Sequence, residues 1–224
     1  MRKFVPAYEG NLRKHALSVP RCISECSGIR VFGRRIKSLV FSTDVAIIKN
    51  INADAIIAVY PFTPQPAITQ AIIGVSEVPV FCGVGGGLTN GVRSASMAAY
   101  VEHQGAYGVV CNSKIGVETI HAIKDAVEIP VVYTVISENT DIQPYLTAGV
   151  DIINVSGAAR TPEIVGALRQ RYPELPIIAT GGPTDESILK TIQAGANAIT
   201  WTPPSNGEIF RDIMAAYREN KPHP

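Results

Sequence analysis

The fold is decided by residues 175–201, which read LPIIATGGPTDESILKTIQAGANAITW. Two short apolar runs, 177–180 and 198–201, flank a longer stretch of mixed apolar and polar residues. Pro176 precedes the first run, and Gly195 lies shortly before the second. Short β-branched runs that alternate with longer amphipathic stretches indicate parallel strands joined by helical crossovers.

The same pair of signals recurs towards the N-terminus. A proline precedes a strand in Val78-Pro79-Val80, Ile129-Pro130-Val131 and Leu175-Pro176-Ile177, and a glycine follows a helix in Gln104-Gly105, Ala148-Gly149 and Ala194-Gly195. Proline is tolerated at the first residue of a strand, and glycine adopts the left-handed conformation that ends a helix. The repeating unit is therefore a pair of strand–helix modules, and four such pairs close a barrel.

We therefore predict a single (β/α)8 barrel over residues 38–224. Its eight parallel strands are predicted at Ser38–Phe41, Ala55–Val59, Val80–Gly83, Gly108–Cys111, Val131–Val135, Ile152–Val155, Ile177–Thr180 and Ala198–Trp201. Residues 1–37 have no place in this repeat and are predicted to be an N-terminal extension that plugs the barrel bottom or joins an interface. Residues 29–32 could form an extra strand within it.

Composition is consistent with one large domain away from the membrane. The chain has 224 residues, close to the roughly 250 of such a barrel. No apolar run approaches the roughly 18 residues that a membrane span requires, so we expect no membrane contact. The basic N-terminal residues are not followed by the apolar stretch of a secretory signal, and we therefore expect a cytoplasmic protein.

The cysteines do not predict a disulfide framework or a metal site. Cys22, Cys26, Cys82 and Cys111 are scattered through a long chain, which favours free thiols. Cys22 and Cys26 lie one helical turn apart, but no second Cys or His pair at ligand spacing completes a zinc site. We expect neither a metal nor a cofactor.

The charge is unevenly distributed along the chain. Residues 1–37 hold nine basic and two acidic side chains, whereas the remainder holds 11 basic and 17 acidic ones. A basic segment of this kind can dock on an anion or on a partner. It can equally lie on the acidic barrel of its own or of a neighbouring subunit, so a homo-oligomer is left open.

A glycine-rich loop follows the third predicted strand. Gly83, Gly85, Gly86 and Gly87 fall within five residues, which lets the backbone approach a ligand closely and exposes N–H donors. The loop lacks the Lys-Ser/Thr of a P-loop, and its glycine spacing does not fit the dinucleotide-binding motif. The loop is either a ligand-binding turn or a plain flexible one.

The loops after the last two strands are where barrels of this fold commonly hold phosphate. Gly181 and Gly182 follow the seventh strand; Ser205, Asn206 and Gly207 follow the eighth, after Pro203-Pro204. Free N–H groups and a helix dipole would favour an anion there, although the two prolines have no N–H to donate. The glycines either contribute to a shifted phosphate site or serve only close packing.

Residues 176–201 resemble the last quarter of the ribulose-phosphate-binding type of aldolase-like barrels. That group includes thiamine-phosphate synthases, N-acetylmannosamine-6-phosphate epimerases and indole-glycerol-phosphate synthases; the glycerol-uptake antiterminator regulators are similar too. The resemblance implies phosphate contacts at Gly181, Gly182, Ser205 and Gly207. Pro203-Pro204 departs from the pattern, since such barrels often carry a glycine and a small residue there.

Polar residues at other strand ends are candidates for chemistry. Lys114 follows the fourth strand and could balance an anionic substrate or intermediate, while Glu138 follows the fifth and could move a proton. Asn154, together with Ser156 and Arg160, belongs to the sixth strand and its loop. Each could instead be a solvated loop residue or a helix cap.

Several chemistries lack their residues. The Asp-x-Lys-x-x-Asp arrangement of orotidine-phosphate and keto-gulonate-phosphate decarboxylases is absent, and no lysine lies in a predicted strand to form a Schiff base. All four histidines fall outside the strand-end loops, so metal catalysis and a Ser-His-Asp triad both lack parts.

Two hypotheses follow. The first is a metal-independent isomerase, epimerase or lyase acting on a small phosphorylated or otherwise anionic metabolite at the C-terminal rim, with Lys114 and Glu138 as catalytic candidates. Its binding residues would be Gly85, Gly86, Gly87, Asn154, Gly181, Gly182, Ser205, Asn206 and Gly207. The second is a non-catalytic regulator that senses such a ligand and contacts RNA or protein through residues 1–37.

Overall fold

The chain folds into a closed barrel of parallel strands. The structure is a computed structural model, and it describes residues 4–8, 10 and 17–223. Within these residues a short hairpin, β1 (Ile29–Val31) and β2 (Arg34–Ile36), precedes the barrel. The barrel strands are β3 (Ser38–Phe41), β4 (Ala55–Ala58), β5 (Val80–Gly85), β6 (Gly108–Cys111), β7 (Val131–Val135), β8 (Ile152–Val155), β9 (Ile177–Thr180) and β10 (Ala198–Trp201).

Each barrel strand pairs in parallel with its neighbours in chain order, and β10 pairs with β3 to close the sheet. The helices that follow the strands are α1 (Val45–Lys49), α2 (Pro66–Val75), α3 (Val92–His103), α4 (Val117–Lys124), α5 (Gln143–Thr147), α6 (Thr161–Arg171), α7 (Asp185–Gln193) and α8 (Asn206–Arg218). Together these described elements confirm the predicted (β/α)8 barrel.

Six of the eight strands have the predicted bounds. The strand predicted at residues 55–59 ends one residue earlier, at Ala58. The strand predicted at residues 80–83 continues to Gly85, because the register with β6 shifts between Gly83 and Gly85 and pairing then resumes opposite Cys111. Such an irregularity re-aims the chain at the rim of a barrel.

The hairpin packs against the inside of the barrel. Val31 and Ile36 are buried in one cluster with inward-facing strand residues such as Leu39 and Phe81. The extra strand expected at residues 29–32 is β1, which ends at Val31, because Phe32 lies in the turn with a φ of +46°. The rest of the predicted N-terminal extension falls partly outside the described residues, and the division at residue 37 stays a prediction.

Arg169, near the end of α6, connects the loop between α6 and β9 with the loop between α7 and β10. Its guanidinium donates to the carbonyl oxygens of Pro173 (2.6 Å), Leu175 (2.8 Å) and Gly195 (2.8 Å), and to Asn197 Oδ1 (2.8 Å). Asn197 in turn accepts from the backbone N–H of Ile177, the first residue of β9. One side chain thus satisfies polar groups that precede both β9 and β10.

Two further features bear on the sequence-based expectations. The four cysteines are all free thiols, and three of them are buried. None of the helices in the described part of the chain has the length and apolar character needed to cross a membrane.

Candidate functional site

A cavity of about 540 Å³ opens at the C-terminal ends of the barrel strands. Side chains point alternately into and out of a barrel strand, so the last inward-facing residue of each strand forms the cavity floor. The βα loops build the walls, as expected for the functional rim of this fold. The floor has two halves of different character.

The strands β7 to β10 supply a polar half. Thr134, Asn154, Thr180 and Thr200, one from each of these four consecutive strands, all line the cavity. Asn154 Nδ2 donates to Thr134 Oγ1 at 3.3 Å. The hydroxyl of Thr180 donates to that of Ser156, another lining residue, at 3.4 Å. This side of the barrel therefore presents only neutral hydrogen-bonding groups.

Two atoms of the polar half have no hydrogen-bond partner within the described part of the chain. They are Asn154 Oδ1 and Thr200 Oγ1, both inaccessible to solvent, on residues only 8% and 6% exposed. Buried polar atoms in native proteins are nearly always satisfied by protein, water or a ligand. Both atoms are closed to solvent in the free protein, so a molecule bound in the cavity would form hydrogen bonds with them after the Asn154 or Thr200 side chain rotates towards it.

The opposite half is apolar. Phe41, Ile57 and Val59 come from β3, β4 and the residue after β4, and Val110 comes from β6. The loop of residues 60–64, with the sequence Tyr-Pro-Phe-Thr-Pro, extends this surface as an aromatic and proline-rich wall. Tyr60 is fixed there because its hydroxyl accepts a hydrogen bond from the backbone N–H of Gln65 at 2.8 Å.

The glycine-rich loop forms a tight turn at the edge of the cavity, and Gly85, Gly86 and Gly87 all line it. Gly86 and Thr89 exchange backbone hydrogen bonds across the turn. Gly86 is required here because it has a φ of +113° and a Cβ would lie 1.9 Å from Asn112 Oδ1. At the tip, the N–H groups of Gly87 and Leu88 have no acceptor among the described residues.

The lining carries no formal charge. No Asp, Glu, Lys, Arg, His or Cys occurs among the lining residues in the described part of the chain, and Tyr60 is their one ionisable group. The described residues also hold no group of three or more His, Cys, Asp or Glu side chains arranged for a metal ion.

The two predicted catalytic residues lie outside this lining. Lys114 is exposed and is two residues from the lining residue Asn112, whose Oδ1 accepts from the Lys114 backbone N–H at 2.9 Å. No partner for the Lys114 ammonium is present within residues 17–223. Glu138 forms an ion pair with Arg160 between the loops after β7 and β8. Its own backbone N–H and the Arg160 guanidinium lower the pKa of Glu138.

The predicted phosphate-contact residues also lie beside the cavity lining rather than in it. The Gly181 N–H donates to the Thr200 carbonyl oxygen, and a Cβ on Gly181 would lie 2.7 Å from Ile188 and Ile199. Ser205 caps α8 in a capping box with Glu208, whose carboxylate accepts from the Ser205 N–H (2.8 Å) and hydroxyl (2.7 Å).

These contacts bear on the anion site expected at the start of α8. The hydrogen bonds from Ser205 lower the pKa of Glu208, so a carboxylate of the chain itself occupies this position. The next residue, Asn206, donates through Nδ2 to Asp44 Oδ2 at 2.7 Å. Gly207 begins α8 with Asn206, and its Cβ position is open. Phosphate binding at Gly181, Gly182, Ser205, Asn206 and Gly207 stays a prediction.

The sequence-based reasoning identified part of this site. Gly85, Gly86, Gly87 and Asn154 were predicted and do line the cavity. The wall of residues 60–64 was missed, although two prolines and two aromatic residues within six positions of a strand end gave a usable signal. The wall has no glycine and no acidic or basic side chain, and its one ionisable group is the Tyr60 hydroxyl.

Comparisons with known proteins identify the fold. No protein-family model matches the chain, and no curated protein matches it. Solved barrels superpose on it at low sequence identity. A protein described as a phosphonomutase from Burkholderia cenocepacia J2315 gives a TM-score of 0.63 at 16% identity and covers 82% of this chain and 92% of its own.

Two more structures show the same likeness. A phosphonopyruvate hydrolase gives a TM-score of 0.62 at 15% identity over 84% of each chain. An aldolase designated QR15 gives 0.57 at 16% identity over 81% of this chain and 95% of its own. At such identities the likeness shows an aldolase-type (β/α)8 barrel and nothing finer.

Proposed function

We propose that the chain is an enzyme acting on a small anionic metabolite by isomerisation, epimerisation or carbon-bond lysis at the C-terminal rim, without a metal. The observation that carries the proposal is the rim cavity with two unsatisfied buried polar atoms, Asn154 Oδ1 and Thr200 Oγ1. The names of the similar barrels, a phosphonomutase, a phosphonopyruvate hydrolase and an aldolase, support this class of reaction and of substrate.

The anionic end of the substrate would stay at the mouth of the cavity. The Lys114 ammonium is exposed beside Asn112, and the unpaired N–H groups of Gly87 and Leu88 lie at the tip of the turn on the same rim. A flexible cation and backbone donors can bind a carboxylate or phosphate without burying its charge. Gly182 and the loop of Ser205 remain the alternative position for a phosphate.

Glu138 fits the role of proton acceptor better than that of donor. Hydrogen bonds from its own backbone N–H and from Arg160 lower its pKa, so the carboxylate is ionised throughout the neutral range. Ionised, it can accept a proton but has none to give. Lys114 or the hydroxyls of the polar half would then donate to the developing oxyanion.

The second candidate function is the ligand-sensing regulator. The absence of charged groups from the lining residues in the described part of the chain favours it, because binding needs no acid or base. In this alternative, residues 1–37 contact RNA or protein. If replacing the exposed Arg21, Arg30 and Arg34 with glutamine, which leaves the buried hairpin in place, abolishes polyanion binding while the cavity still binds its ligand, the regulator is supported.

Proton transfer can be tested before the substrate is known. We expect the protein to exchange carbon-bound hydrogen for deuterium in one or more members of a panel of phosphorylated ketoses and 2-oxo acids in D2O, followed by proton NMR. Lys114→Ala and Glu138→Gln should each lower the exchange rate by about 100-fold, the common contribution of a positioned acid or base. Since the pKa of Glu138 is lowered, the rate should be constant through neutral pH and fall only in acid.

Lys190→Ala is the matched control for this experiment. Lys190 is a surface lysine whose side chain is 65% exposed. It forms an ion pair with Glu163 on the outside of the barrel, between α7 and α6. Its removal should leave exchange unchanged. The absence of exchange across the panel would rule out the proposed enzyme, and full exchange in the Lys114→Ala variant would rule out the role given to Lys114.

A further inference from the structure

We infer that the part of the ligand that enters the cavity is an uncharged ring or compact branched group with one apolar face and a hydrogen-bond donor on the opposite edge. The inference rests on the proposed function because it concerns the same cavity. It specifies the class of molecule that this cavity accepts. Lactams, neutral nitrogen heterocycles and hydroxylated rings belong to this class.

The first argument is the charge of the lining. No Asp, Glu, Lys, Arg or His among the described residues faces the cavity, and the one ionisable lining group, the Tyr60 hydroxyl, already accepts from Gln65 N–H. A charge moved from water into a site without a counter-charge loses its hydration and gains nothing equivalent. The interior of the cavity therefore selects a neutral group, and an anionic group has its partners only at the mouth.

The second argument is the shape of the two halves. Phe41, Ile57 and Val59 with the wall of residues 60–64 form a continuous apolar surface on one side. Three prolines in residues 61–66 fix the backbone of this wall, so it needs little ordering when a ligand binds. A flat ring can pack against such a surface with one face while its edge reaches the polar half.

The third argument gives the direction of the hydrogen bond. Asn154 Nδ2 is already used as a donor to Thr134 Oγ1, which leaves Asn154 Oδ1 as a buried acceptor. Once the side chain turns towards the cavity, this acceptor is satisfied by an N–H or O–H of the ligand. Thr200 Oγ1, two strands away on β10, can donate or accept and so fits a carbonyl or hydroxyl next to that donor.

Matched fragments test the inference directly. The probe is 2-pyridone, which has a flat ring, an N–H donor and a carbonyl; the comparison is N-methyl-2-pyridone, which lacks only the donor. A wider panel adds other neutral rings with a donor, their N-methylated forms and carboxylates of the same rings, all measured by amide chemical-shift titration of the full chain. We expect these fragments to bind at about millimolar concentrations, and we expect the donor to strengthen binding about tenfold.

Two isosteric variants separate ligand binding from structural effects. Thr200→Val removes an unsatisfied hydroxyl, so it should raise the Tm of the free protein by about 2–4 °C and weaken 2-pyridone about fivefold. Thr191→Val is the control, because Thr191 is also buried, at 1% exposed against 6% for Thr200, but its hydroxyl donates to the Ser187 carbonyl on α7. That variant should not gain stability and should bind the fragment normally. Asn154→Leu should abolish the preference for 2-pyridone over its N-methyl form.

Several outcomes would overturn the inference. They are preferential binding of the carboxylates, equal binding of the methylated and unmethylated rings, or a panel without any ligand. If neutral fragments bind but no member of the ketose and 2-oxo acid panel exchanges hydrogen for deuterium, the proposed enzyme is refuted and the inference about the cavity stands. If exchange occurs and depends on Lys114 but the cavity does not bind neutral rings, the inference about the cavity is refuted and the proposed enzyme stands.

Discussion

Replacing Arg169 with alanine is expected to lower the free energy of unfolding by about 3 kcal/mol, the largest stability effect of any substitution considered. The guanidinium donates to the carbonyl oxygens of Pro173, Leu175 and Gly195 and to Asn197 Oδ1. Hydrogen bonds from a charged donor contribute more than neutral ones, and the half-buried acceptors would lose their partner without regaining full hydration. Urea unfolding followed by circular dichroism measures the change.

The control for this variant lies two residues further along α6. Arg171 is exposed, and among the described residues its guanidinium contacts only the ring of the adjacent Tyr172, at 5.5 Å from the centroid. Arg171→Ala should change the stability by less than about 0.5 kcal/mol. Arg169→Lys should recover little, because one ammonium cannot reach four acceptors spread over two loops. Equal effects of the two alanine substitutions would show that the network around Arg169 contributes nothing.

Gly86→Ala is expected to disrupt the candidate site strongly, although it adds only one methyl group. The φ of +113° lies in a region that L-residues rarely adopt, at a cost of about 2 kcal/mol. The added Cβ would also lie 1.9 Å from Asn112 Oδ1, so the asparagine must move. Because Asn112 Oδ1 accepts from the Lys114 N–H, the amide resonances of residues 112 and 114 should shift strongly. Binding of 2-pyridone should weaken at least about tenfold.

Gly87→Ala is the matched comparison one residue along the same turn. Gly87 has a φ of +63°, and a Cβ there would meet nothing closer than Asn112 Nδ2 at 3.9 Å. Its alanine variant should lose only about 1 kcal/mol, the usual cost of the left-handed conformation, and keep the Asn112 resonances in place. If Gly86→Ala and Gly87→Ala shift the Asn112 resonances equally, the position of the Asn112 side chain does not depend on its close packing against Gly86.

The barrel was predictable because its signals are local and repeated. A proline before Val80, Val131 and Ile177 and a glycine before Gly108, Ile152 and Ala198 mark strand starts independently of tertiary packing. The errors occur where pairing is irregular. The extension of β5 to Gly85 depends on its register against Cys111, and the strand β2 depends on Val31 and Ile36 being buried in the barrel bottom. Neither dependence can be read from the segments alone.

The candidate site was predictable only in part, for a related reason. The glycines 85–87 and Asn154 were found because residue type and position at a strand end suffice to select them. The hydrogen-bonding role of Asn154 depends instead on Thr134, 20 positions earlier in the chain. Thr134 Oγ1 accepts from Asn154 Nδ2, and Asn154 Oδ1 is left without a partner among the described residues. Ser205 is a different case, because the spacing Ser205-x-x-Glu208 already matches a capping box in the sequence, and the structure shows Glu208 folded back onto Ser205.

The division of the cavity floor coincides with the middle of the chain. The apolar contributors come from β3 to β6 and the hydrogen-bonding ones from β7 to β10, so each half-barrel supplies one kind of surface. The two surfaces can consequently diverge separately during evolution. If the C-terminal half were exchanged for that of another barrel, the hydrogen-bonding residues of β7 to β10 would be replaced and the apolar residues of β3 to β6 would be kept. This architecture is therefore suited to half-domain chimaeras.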